Sequence, residues 1–420
     1  MTDEHAHRKQ AGFKGRTRLA DAREQLREMA DPHGRTEMLP VADADRHADG
    51  RVLAEAVAAN RAVPHYERAA MDGYAVRAAD TFGASDRSPE ILRVVEGPVG
   101  PGRAVRVHTG SELPEGADAV VMVEYTERLE RAGADDELEL FDAVAGGENV
   151  APVGEDVEAG QHLYDPGHRL RPSDLGMLRA VGVEAVAVAE RPTVGVIPTG
   201  EEVVQSDPGP GEVVETNGLT ISRLVERWGG KPRHREVVTD DAEALEAAIQ
   251  RDCTADVVVT IGGSSVGERD LLPEVLDDLG EVLVHGVALK PGHPVGFGLV
   301  EDTPVLMLPG YPVSAIVTAV QLLRPLVSWL AGAEPPRVPT TEATLARKID
   351  SAPGVRSFTR VKLEPGEGGL RAVPTRTSGA GVLSSVALAD GWIEVPEALE
   401  GIPEGDPVVV QDWEPAVPSR

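Results

Sequence analysis

Loops marked by glycine and proline stand at the ends of short apolar runs and hold the residues best suited to chemistry. Val257–Ile261 is a β-branched run short enough for a fully buried strand, and Gly262 and Gly263 end it abruptly. Such loops present backbone N–H groups at the start of a following helix, here predicted over 271–279, where the helix dipole favours an anion. The candidates for anion contact in this loop are Gly262, Gly263, Ser264, Ser265 and Gly267.

A second loop of this kind follows the apolar run Val305–Leu308. Pro309 and Gly310 end that run, and Pro312 stands where a helix over 313–330 is predicted to begin. Two helix starts suited to anions in one α/β unit predict a phosphate-bearing substrate. A tight turn without a chemical role is the alternative for either loop taken alone.

The segment KPGHP lies between these loops and contains Lys290 and His293. Lysine is scarce in this chain, whose positive charge is carried mainly by arginine. A lysine kept in a Pro-Gly loop beside two predicted anion sites therefore indicates contact with a phosphate or another oxyanion.

Carboxylates also lie in Gly/Pro loops rather than on predicted helix faces. They are Asp72, Glu124, Glu155, Asp156, Glu201, Glu202, Asp240, Asp241 and Asp270. In so acidic a chain any one of them is more often a solvated surface group, but loops on a rigid scaffold carry function disproportionately. Mg²⁺ is commonly held by one or two carboxylates plus substrate phosphates, and it polarises phosphorus for attack. Asp240 has an alternative role, because it could cap the helix predicted to begin at Ala242.

The charge of the 420-residue chain is extreme, with 70 acidic against 41 basic residues and a net charge of −29. Such a surface argues against binding to nucleic acid or to anionic membranes. The acidic residues are spread along the chain rather than gathered in one tail, which indicates solubility in high salt. We therefore expect a halophilic, haloarchaeal source.

Other features narrow the class of protein. Cys253 is the only cysteine, which excludes an intrachain disulfide and a Cys-rich zinc site. No apolar run approaches ~18 residues, so no transmembrane helix is predicted, and the polar N-terminus lacks an export signal. We expect a cytoplasmic protein with a disordered tail over 1–15. No P-loop, G-x-G-x-x-G fingerprint or G-x-S-x-G elbow is present, which argues against a nucleotide kinase, a dehydrogenase and a serine hydrolase.

The elements that must position these loops follow from periodicity. Helices are predicted over Leu19–Ala30 and Gly50–Ala59, and short β runs between about 63 and 160 predict a compact β-rich module. Between 193 and 330 strands, including one at Glu236–Val238, alternate with helices. That alternation predicts a doubly wound, mostly parallel sheet with its ligand beyond the carboxyl ends of the strands.

A Pro-rich linker over 333–339 precedes a last group of short β runs, which predict a small β-barrel. The residues alone therefore predict a multidomain enzyme that acts on a phosphorylated small molecule with a divalent metal.

Read together, the loops resemble those of the molybdopterin molybdenumtransferase family, which includes MoeA and the E domain of gephyrin. The resemblance runs in order from about Arg16 to Asp412. Its motifs are RAAMDGYAV (68–76), HTGSELPEGADAVVMVE (108–124), NVAPVGEDV (149–157), PTGEEVV (198–204), ETNGLT (215–220), TDDAEAL (239–245), GGSSVGERD (262–270), KPGHPVGFG (290–298), LPGYPVSA (308–315) and SGAGVLSSVALADGW (378–392).

The resemblance implies an elongated homodimer of multidomain α/β and β chains. The implied domains are a discontinuous N-terminal domain (16–59 plus 158–189), an inserted β-rich domain (60–157), an α/β molybdopterin-binding domain (190–333) and a C-terminal β-barrel (334–420). The active site would be shared between the α/β domain of one subunit and the inserted domain of its partner, as a two-fold dimer allows.

The implied reaction is insertion of molybdate into the dithiolene of adenylylated molybdopterin, with divalent-metal-dependent loss of AMP. A molybdopterin adenylyltransferase would be a partner protein. In this reading Ser264 and Ser265 help to cradle the pterin phosphate, and Asp270 supports that loop or the metal. Ser314 and its helix start bind the pterin side, and Lys290 contacts molybdate or phosphate.

The resemblance assigns roles to further residues. Glu202, Asp240 and Asp241 would handle the metal and the adenylate, and Asn217 of ETNG would contact substrate. Those expected to complete the site across the dimer are Asp72, Thr109 and Asp156, and the candidates from the barrel are Ser378 and Ser384.

Three departures from the family pattern bear on these roles. His293 replaces the second lysine of the common KPGKP, Tyr311 replaces the asparagine of GNPVS, and GGSSVG replaces GGVSVG. Two other functions are alternatives: adenylylation of molybdopterin, which consumption of ATP would reveal, and a non-catalytic scaffold, which would have no need of the loop carboxylates. The preference for molybdate over tungstate is not set by these residues.

Overall fold

The computed structural model describes residues 15–42, 48–130, 136–263, 271–375 and 381–414. The chain divides into two compact units. The first comprises residues 1–37, 50–54 and 189–420, and the second comprises residues 38–49 and 55–188. Two short strands, Thr36–Pro40 and Ala185–Ala189, have one end in each unit.

A six-stranded sheet lies at the centre of the first unit. Its strand order is Lys231–His234, Thr193–Pro198, Val257–Ile261, Thr303–Leu308, Gly296–Val300 and Glu281–His285. The first four strands are parallel to one another. Gly296–Val300 is antiparallel to both of its neighbours, so the edge strand Glu281–His285 runs in the same direction as the first four. Five of the six strands of this sheet thus run in one direction, so the sheet is mostly parallel, as predicted.

The strand Val257–Ile261 shows why the strands of this sheet have unbroken apolar sequences. All five of its residues are buried. Val257, Val259 and Ile261 pack into one core cluster, and Val258 packs into another. Since successive side chains of a strand point to opposite faces, a strand covered on both faces needs apolar residues at every position.

Helices cover this sheet and close the first unit. They are Leu19–Glu28, Asn217–Arg227, Ala242–Asp252, Leu271–Leu279 and a long helix over Pro312–Leu330. The helix predicted near the N-terminus is confirmed, and its residues Leu19, Ala22 and Leu26 are fully buried.

The long helix contains a more apolar stretch than the sequence pattern indicated. Pro312–Leu330 is long and apolar enough to cross a membrane by composition alone, yet 94% of its most apolar window is buried inside the protein. Its middle, Ala319–Leu323, widens into a π-helical turn. Arg23 Nε donates to the backbone oxygen of Gln321 in that turn at 3.0 Å, so the helix is anchored in the core by a polar contact as well.

Two predicted elements are wrong. The segment Gly50–Ala59 is extended rather than helical: Gly50 has a φ of +73°, and the oxygen of Val52 accepts a hydrogen bond from Ala189 at 2.8 Å. The strand predicted at Glu236–Val238 lies instead at Lys231–His234. That strand contains Pro232 and is tolerated because it forms the edge of the sheet.

The C-terminal strands of the first unit form a closed barrel. The five strands are Arg356–Gly366, Gly369–Pro374, Thr340–Leu345, Pro407–Gln411 and Gly391–Val395, in ring order. Pairing of the first with the last closes the ring, which confirms the predicted β-barrel. The side chains that fill it are short and branched, including Leu345, Val361 and Val395. A short helix, Ser384–Ala387, lies between two of its strands.

The second unit contains a six-stranded β-sheet, as predicted for a β-rich module. Its strand order is Ala119–Met122, Gly73–Val76, Arg103–Val107, Glu90–Val94, Glu137–Leu140 and Thr126–Leu129. Its core includes Tyr74, Val121, Leu138 and Leu140. The other elements are the helix Pro172–Ala180 and two small ladders, Arg68–Ala69 with Val150–Ala151 and Val57–Ala58 with His162–Tyr164.

Candidate functional site

The carboxyl edge of the parallel strands brings three glycine-containing loops of the first unit together. Gly262 follows one strand, and its N–H donates to the Leu308 oxygen of the next strand at 3.0 Å. Thr199 N–H donates to the Ile261 oxygen at 2.9 Å. A Cβ added to Gly310 would lie 3.3 Å from the Gly262 Cα. The loops that sequence analysis selected as anion sites are therefore in backbone contact.

Gly262 is required by this packing. Its φ is +116°, a conformation that other residues rarely adopt, and a Cβ there would lie 2.4 Å from the Thr199 oxygen. The hydroxyl of Thr199 is also buried, and it has no hydrogen-bond partner within the described part of the chain. Thr199 was not among the predicted site residues, although its place between a buried strand and a glycine, as a residue with a hydroxyl group, is visible in the sequence.

We expect Gly262→Ala to lower the free energy of unfolding by about 2 kcal/mol or more, because backbone strain and overpacking add. Denaturant unfolding at fixed salt measures this. The matched control is Gly146→Ala, since nothing lies within 4 Å of a Cβ at 146 and its φ is not positive. That variant is expected to be unchanged or up to about 1 kcal/mol more stable. Equal effects of the two substitutions would contradict the packing described here.

Glu215 is a buried carboxylate at this edge that sequence analysis missed. Its side chain is 3% exposed and lies 3.3 Å from His234 Nε2. Its Oε1 accepts a hydrogen bond from Gly218 N–H at 2.6 Å, and its Oε2 accepts one from Leu219 N–H at 3.3 Å. The start of helix Asn217–Arg227 is thus capped by a carboxylate of the chain itself, which occupies two of its free N–H groups.

Asn217 connects two of the loops. Its Nδ2 donates to the Gly310 oxygen at 2.7 Å. The predicted substrate residue therefore has a positioning contact that holds the LPGYP loop against the start of its helix.

The predicted metal ligands lie beside one another at this edge. The pKa of Asp240 is raised by burial and by the nearby charges of Glu202 and Glu201, although a hydrogen bond from the Glu201 backbone acts in the opposite direction. Asp240 Oδ1 is buried without a hydrogen-bond partner among the described residues. An anionic oxygen in this state is poised to receive a cation or a proton.

The alternative role predicted for Asp240, capping the helix that begins at Ala242, is wrong. Asp241, not Asp240, is the N-cap of helix Ala242–Asp252, and its Oδ1 accepts from Ala244 N–H at 3.0 Å. Across the described ranges, no three His, Cys, Asp or Glu side chains are grouped so that they could hold a metal ion by themselves.

The KPGHP loop lies between the long helix and the barrel. Leu289–Lys290 pairs in parallel with the barrel strand, with Lys290 opposite Ser357. A Cβ on Gly292 would lie 2.5 Å from the Thr318 side chain, so the loop packs closely on the helix. Lys290 is exposed, whereas Ser314 is only 3% exposed. Burial and the charge of Arg16 lower the pKa of His293, so its ring is neutral at neutral pH.

Arg360, in the barrel strand that pairs with the KPGHP loop, was also missed. It is 5% exposed, and its Nη1 donates to the Phe358 backbone oxygen at 3.3 Å. Its Nε has no hydrogen-bond partner among the described residues. Desolvation lowers the pKa of this guanidinium, with no carboxylate offsetting that effect. A buried guanidinium with an unsatisfied N–H among the described residues is a ready anion ligand. Ser384, the barrel candidate, is exposed at the start of its short helix.

In the second unit, two of the predicted site residues, Asp72 and Thr109, are hydrogen-bonded to each other. Thr109 donates its backbone N–H and its hydroxyl to Asp72 Oδ1, at 2.6 and 2.9 Å. These hydrogen bonds lower the pKa of Asp72, so this exposed carboxylate is ionised at neutral pH. Asp156 is exposed on another loop, where its N–H donates to the Val63 oxygen at 3.0 Å.

Two predicted proline residues lie at the ends of regular elements. Pro309 is buried at the end of its strand, and Pro312 is the first residue of the long helix. Five predicted residues lie outside the described part of the chain: Ser264, Ser265, Gly267, Asp270 and Ser378.

Comparison with known protein families defines the class. Residues 195–329 match the family model "Probable molybdopterin binding domain". Residues 17–182 match the MoeA N-terminal region (domain I and II), and residues 342–413 match the MoeA C-terminal region (domain IV). A molybdopterin-binding type of α/β domain, flanked by MoeA regions, is therefore the architecture of this chain.

Individual relatives are similar to this chain over most of their length. The molybdopterin molybdenumtransferase of Bacillus subtilis is 32% identical, with 86% of each chain covered. Molybdopterin molybdenumtransferase 2 of Mycobacterium tuberculosis is 33% identical over 87% of this chain and 93% of its own. A crystal structure of the MoeA protein of Pyrococcus horikoshii superposes with a TM-score of 0.78 at 34% identity, covering 95% of this chain and 100% of that one. The chain belongs to the MoeA family, as the sequence motifs indicated.

Proposed function

We propose that this chain is a molybdopterin molybdenumtransferase, which inserts molybdate into the dithiolene of adenylylated molybdopterin and releases AMP with the help of a divalent metal. Family membership and the names of the relatives support a role in molybdenum cofactor biosynthesis. The observation that carries the proposal is the edge of the α/β sheet, where the glycine loops meet beside Glu202 and Asp240.

The residues at this edge fit a hard divalent cation such as Mg²⁺. Asp240 offers a buried oxygen without a hydrogen-bond partner among the described residues, and Glu202 lies close enough to raise the pKa of Asp240. With two protein carboxylates and no complete ligand set among the described residues, the cation would take its remaining ligands from water and substrate phosphates. When bound, it would neutralise phosphate charge and polarise phosphorus. Asp241 is a weaker candidate, because one of its oxygens caps a helix.

We propose that molybdate, a dianion, binds to cationic side chains near the KPGHP loop. Lys290 is exposed there, and Arg360 lies three residues beyond Ser357, the strand partner of Lys290. Because successive side chains of a strand point to opposite faces, Arg360 faces away from Ser357 and its partner Lys290, so the two cations are separate candidate contacts for the anion. A guanidinium without a carboxylate partner favours an oxyanion with several acceptor oxygens.

We propose a cytoplasmic homodimer in which Asp72, Thr109 and Asp156 complete the site of a second copy. The ionised Asp72–Thr109 pair is exposed, which supports such a role. A molybdopterin adenylyltransferase would supply the substrate. The net charge of −29 supports a halophilic, haloarchaeal origin.

The test mixes the purified chain with adenylylated molybdopterin, Mg²⁺ and molybdate in multimolar salt and follows AMP. AMP release that needs both molybdate and the metal is expected. Consumption of ATP with unmodified molybdopterin would indicate the adenylyltransferase instead. Tight binding of the pterin without release of AMP, in the presence of all components, would indicate a scaffold.

We expect His293→Lys to lower the half-saturating concentration of molybdate about two- to fivefold at neutral pH, as for one exposed charge interaction. The ring is neutral there because its pKa is lowered, so lysine adds a charge that histidine does not supply. His293→Gln is the control and should leave the value unchanged. The gain should shrink as salt screens the charge. A loss of affinity in His293→Gln would show that the ring does contact the anion.

A further inference from the structure

Tyr311 places an aromatic ring at the carboxyl edge of the sheet. It directly follows Gly310 and is 66% exposed. The chain has few aromatic residues, 3% of the total, and the large rings Phe297, Phe358 and Trp392 are fully buried. An exposed ring in this loop therefore stands apart from the aromatic core.

The backbone that carries the ring is held on both sides. The Gly310 oxygen accepts from Asn217 at 2.7 Å, and the Gly310 Cα region packs on Gly262. The Tyr311 oxygen accepts from Ala315 N–H in the helix at 2.9 Å. On the barrel side, a Cβ on Gly381 would lie 3.4 Å from the ring Cδ1. The ring is thus presented by a fixed loop rather than by a flexible one.

Tyrosine is an unfavourable residue at this position for the fold alone. Tyr311 is the N-cap of the helix that begins at Pro312, and its side chain makes no capping hydrogen bond. Asparagine, aspartate or serine would supply that bond. Natural proteins depart from such local rules mainly at functional or strained sites, and Tyr311 departs from one in a loop at the carboxyl edge of the sheet.

We propose that Tyr311 is a substrate-binding residue whose ring stacks on the pterin of adenylylated molybdopterin. This inference rests on the proposed function and adds a residue that sets affinity for the flat part of the substrate. The pterin is a conjugated bicyclic ring system, and such rings stack on aromatic side chains as nucleobases do. The contact forms with substrate and persists during the reaction, so it acts on binding rather than on the rate of the chemical step.

The test compares Tyr311→Phe, Tyr311→Leu and Tyr311→Asn by titration of pterin fluorescence and by steady-state AMP release. Tyr311→Phe should bind as the wild type does. Tyr311→Leu and Tyr311→Asn should raise Kd and KM by about fivefold to a hundredfold, the range of one ring–base stacking contact, with kcat unchanged. Tyr311→Asn should melt at or above the wild-type temperature, because it restores a helix cap.

Phe82→Leu is the matched control, since Phe82 is 70% exposed in the second unit, and it should change neither Kd nor KM. Wild-type affinity in Tyr311→Leu would overturn the stacking inference and leave the proposed function standing. Failure of the wild type to bind adenylylated molybdopterin would instead overturn the proposed function. A loss in Tyr311→Phe equal to that in Tyr311→Leu would assign the affinity to the hydroxyl and contradict stacking.

Discussion

Asp240→Asn is expected to reduce AMP release roughly a hundredfold or more at neutral pH, as loss of a metal-ion contribution of several kcal/mol implies. The carboxylate of Asp240 has a buried oxygen that no described residue hydrogen-bonds, and it lies beside Glu202. The amide is nearly the same size but carries no charge, so it leaves the packing intact and weakens cation binding. Rates measured across a range of Mg²⁺ concentrations should show a much higher half-saturating concentration.

The same substitution should leave the fold more stable at neutral pH. The pKa of Asp240 is raised in the folded state, so ionisation is harder there than in the unfolded chain. The ionised form therefore destabilises the fold as pH rises above its unfolded pKa, and the penalty is complete above the folded pKa. Asp240→Asn removes this penalty, and the gain should vanish below the unfolded pKa. Thermal unfolding without metal, at neutral and acid pH, measures it.

Glu243→Gln is the matched control for Asp240→Asn. Glu243 is an exposed carboxylate in the first turn of the same helix, so its neutralisation should change neither AMP release nor the Mg²⁺ requirement. If Asp240→Asn and Glu243→Gln had the same small effect, the metal site would have to be placed elsewhere.

Arg360→Met should raise the half-saturating concentration of molybdate by roughly tenfold to a hundredfold, the value of one hydrogen bond to a charged group. The guanidinium is buried, and neither an acidic residue nor a full set of acceptors among the described residues satisfies it. An oxyanion would supply the missing acceptors. Lysine offers a point charge without the planar set of donors. The half-saturating concentration of molybdate in Arg360→Lys should therefore lie between the values of the wild type and Arg360→Met.

Molybdate binding by Arg360 can be measured separately from catalysis. Molybdate should raise the melting temperature of the wild type, because a ligand that binds only the folded state stabilises it. That shift should be lost in Arg360→Met, and this variant should be no less stable than the wild type without molybdate, since an unpaired buried charge has been removed. Arg371→Met, an exposed arginine of the neighbouring barrel strand, should retain the shift. A full shift in Arg360→Met would exclude this residue from the anion site.

Much of the α/β unit was predictable because its signals are local. Val257–Ile261 had to be a buried strand, since every residue in it is apolar or β-branched and glycine ends it. The helix over 312–330 followed from its proline start. The segment Gly50–Ala59 was predicted wrongly because helical spacing of its apolar residues does not reveal a partner strand that lies far along the chain.

Sequence by itself determined the loops, their order and the charge of the protein, and through its motifs it determined the family. Only the tertiary structure decided which side chains are left without partners. Burial and pairing depend on contacts between distant segments, as Arg360 beside the KPGHP strand and Glu215 beside His234 show. Local sequence reports what a residue can donate or accept, whereas the fold decides what remains for a substrate to satisfy.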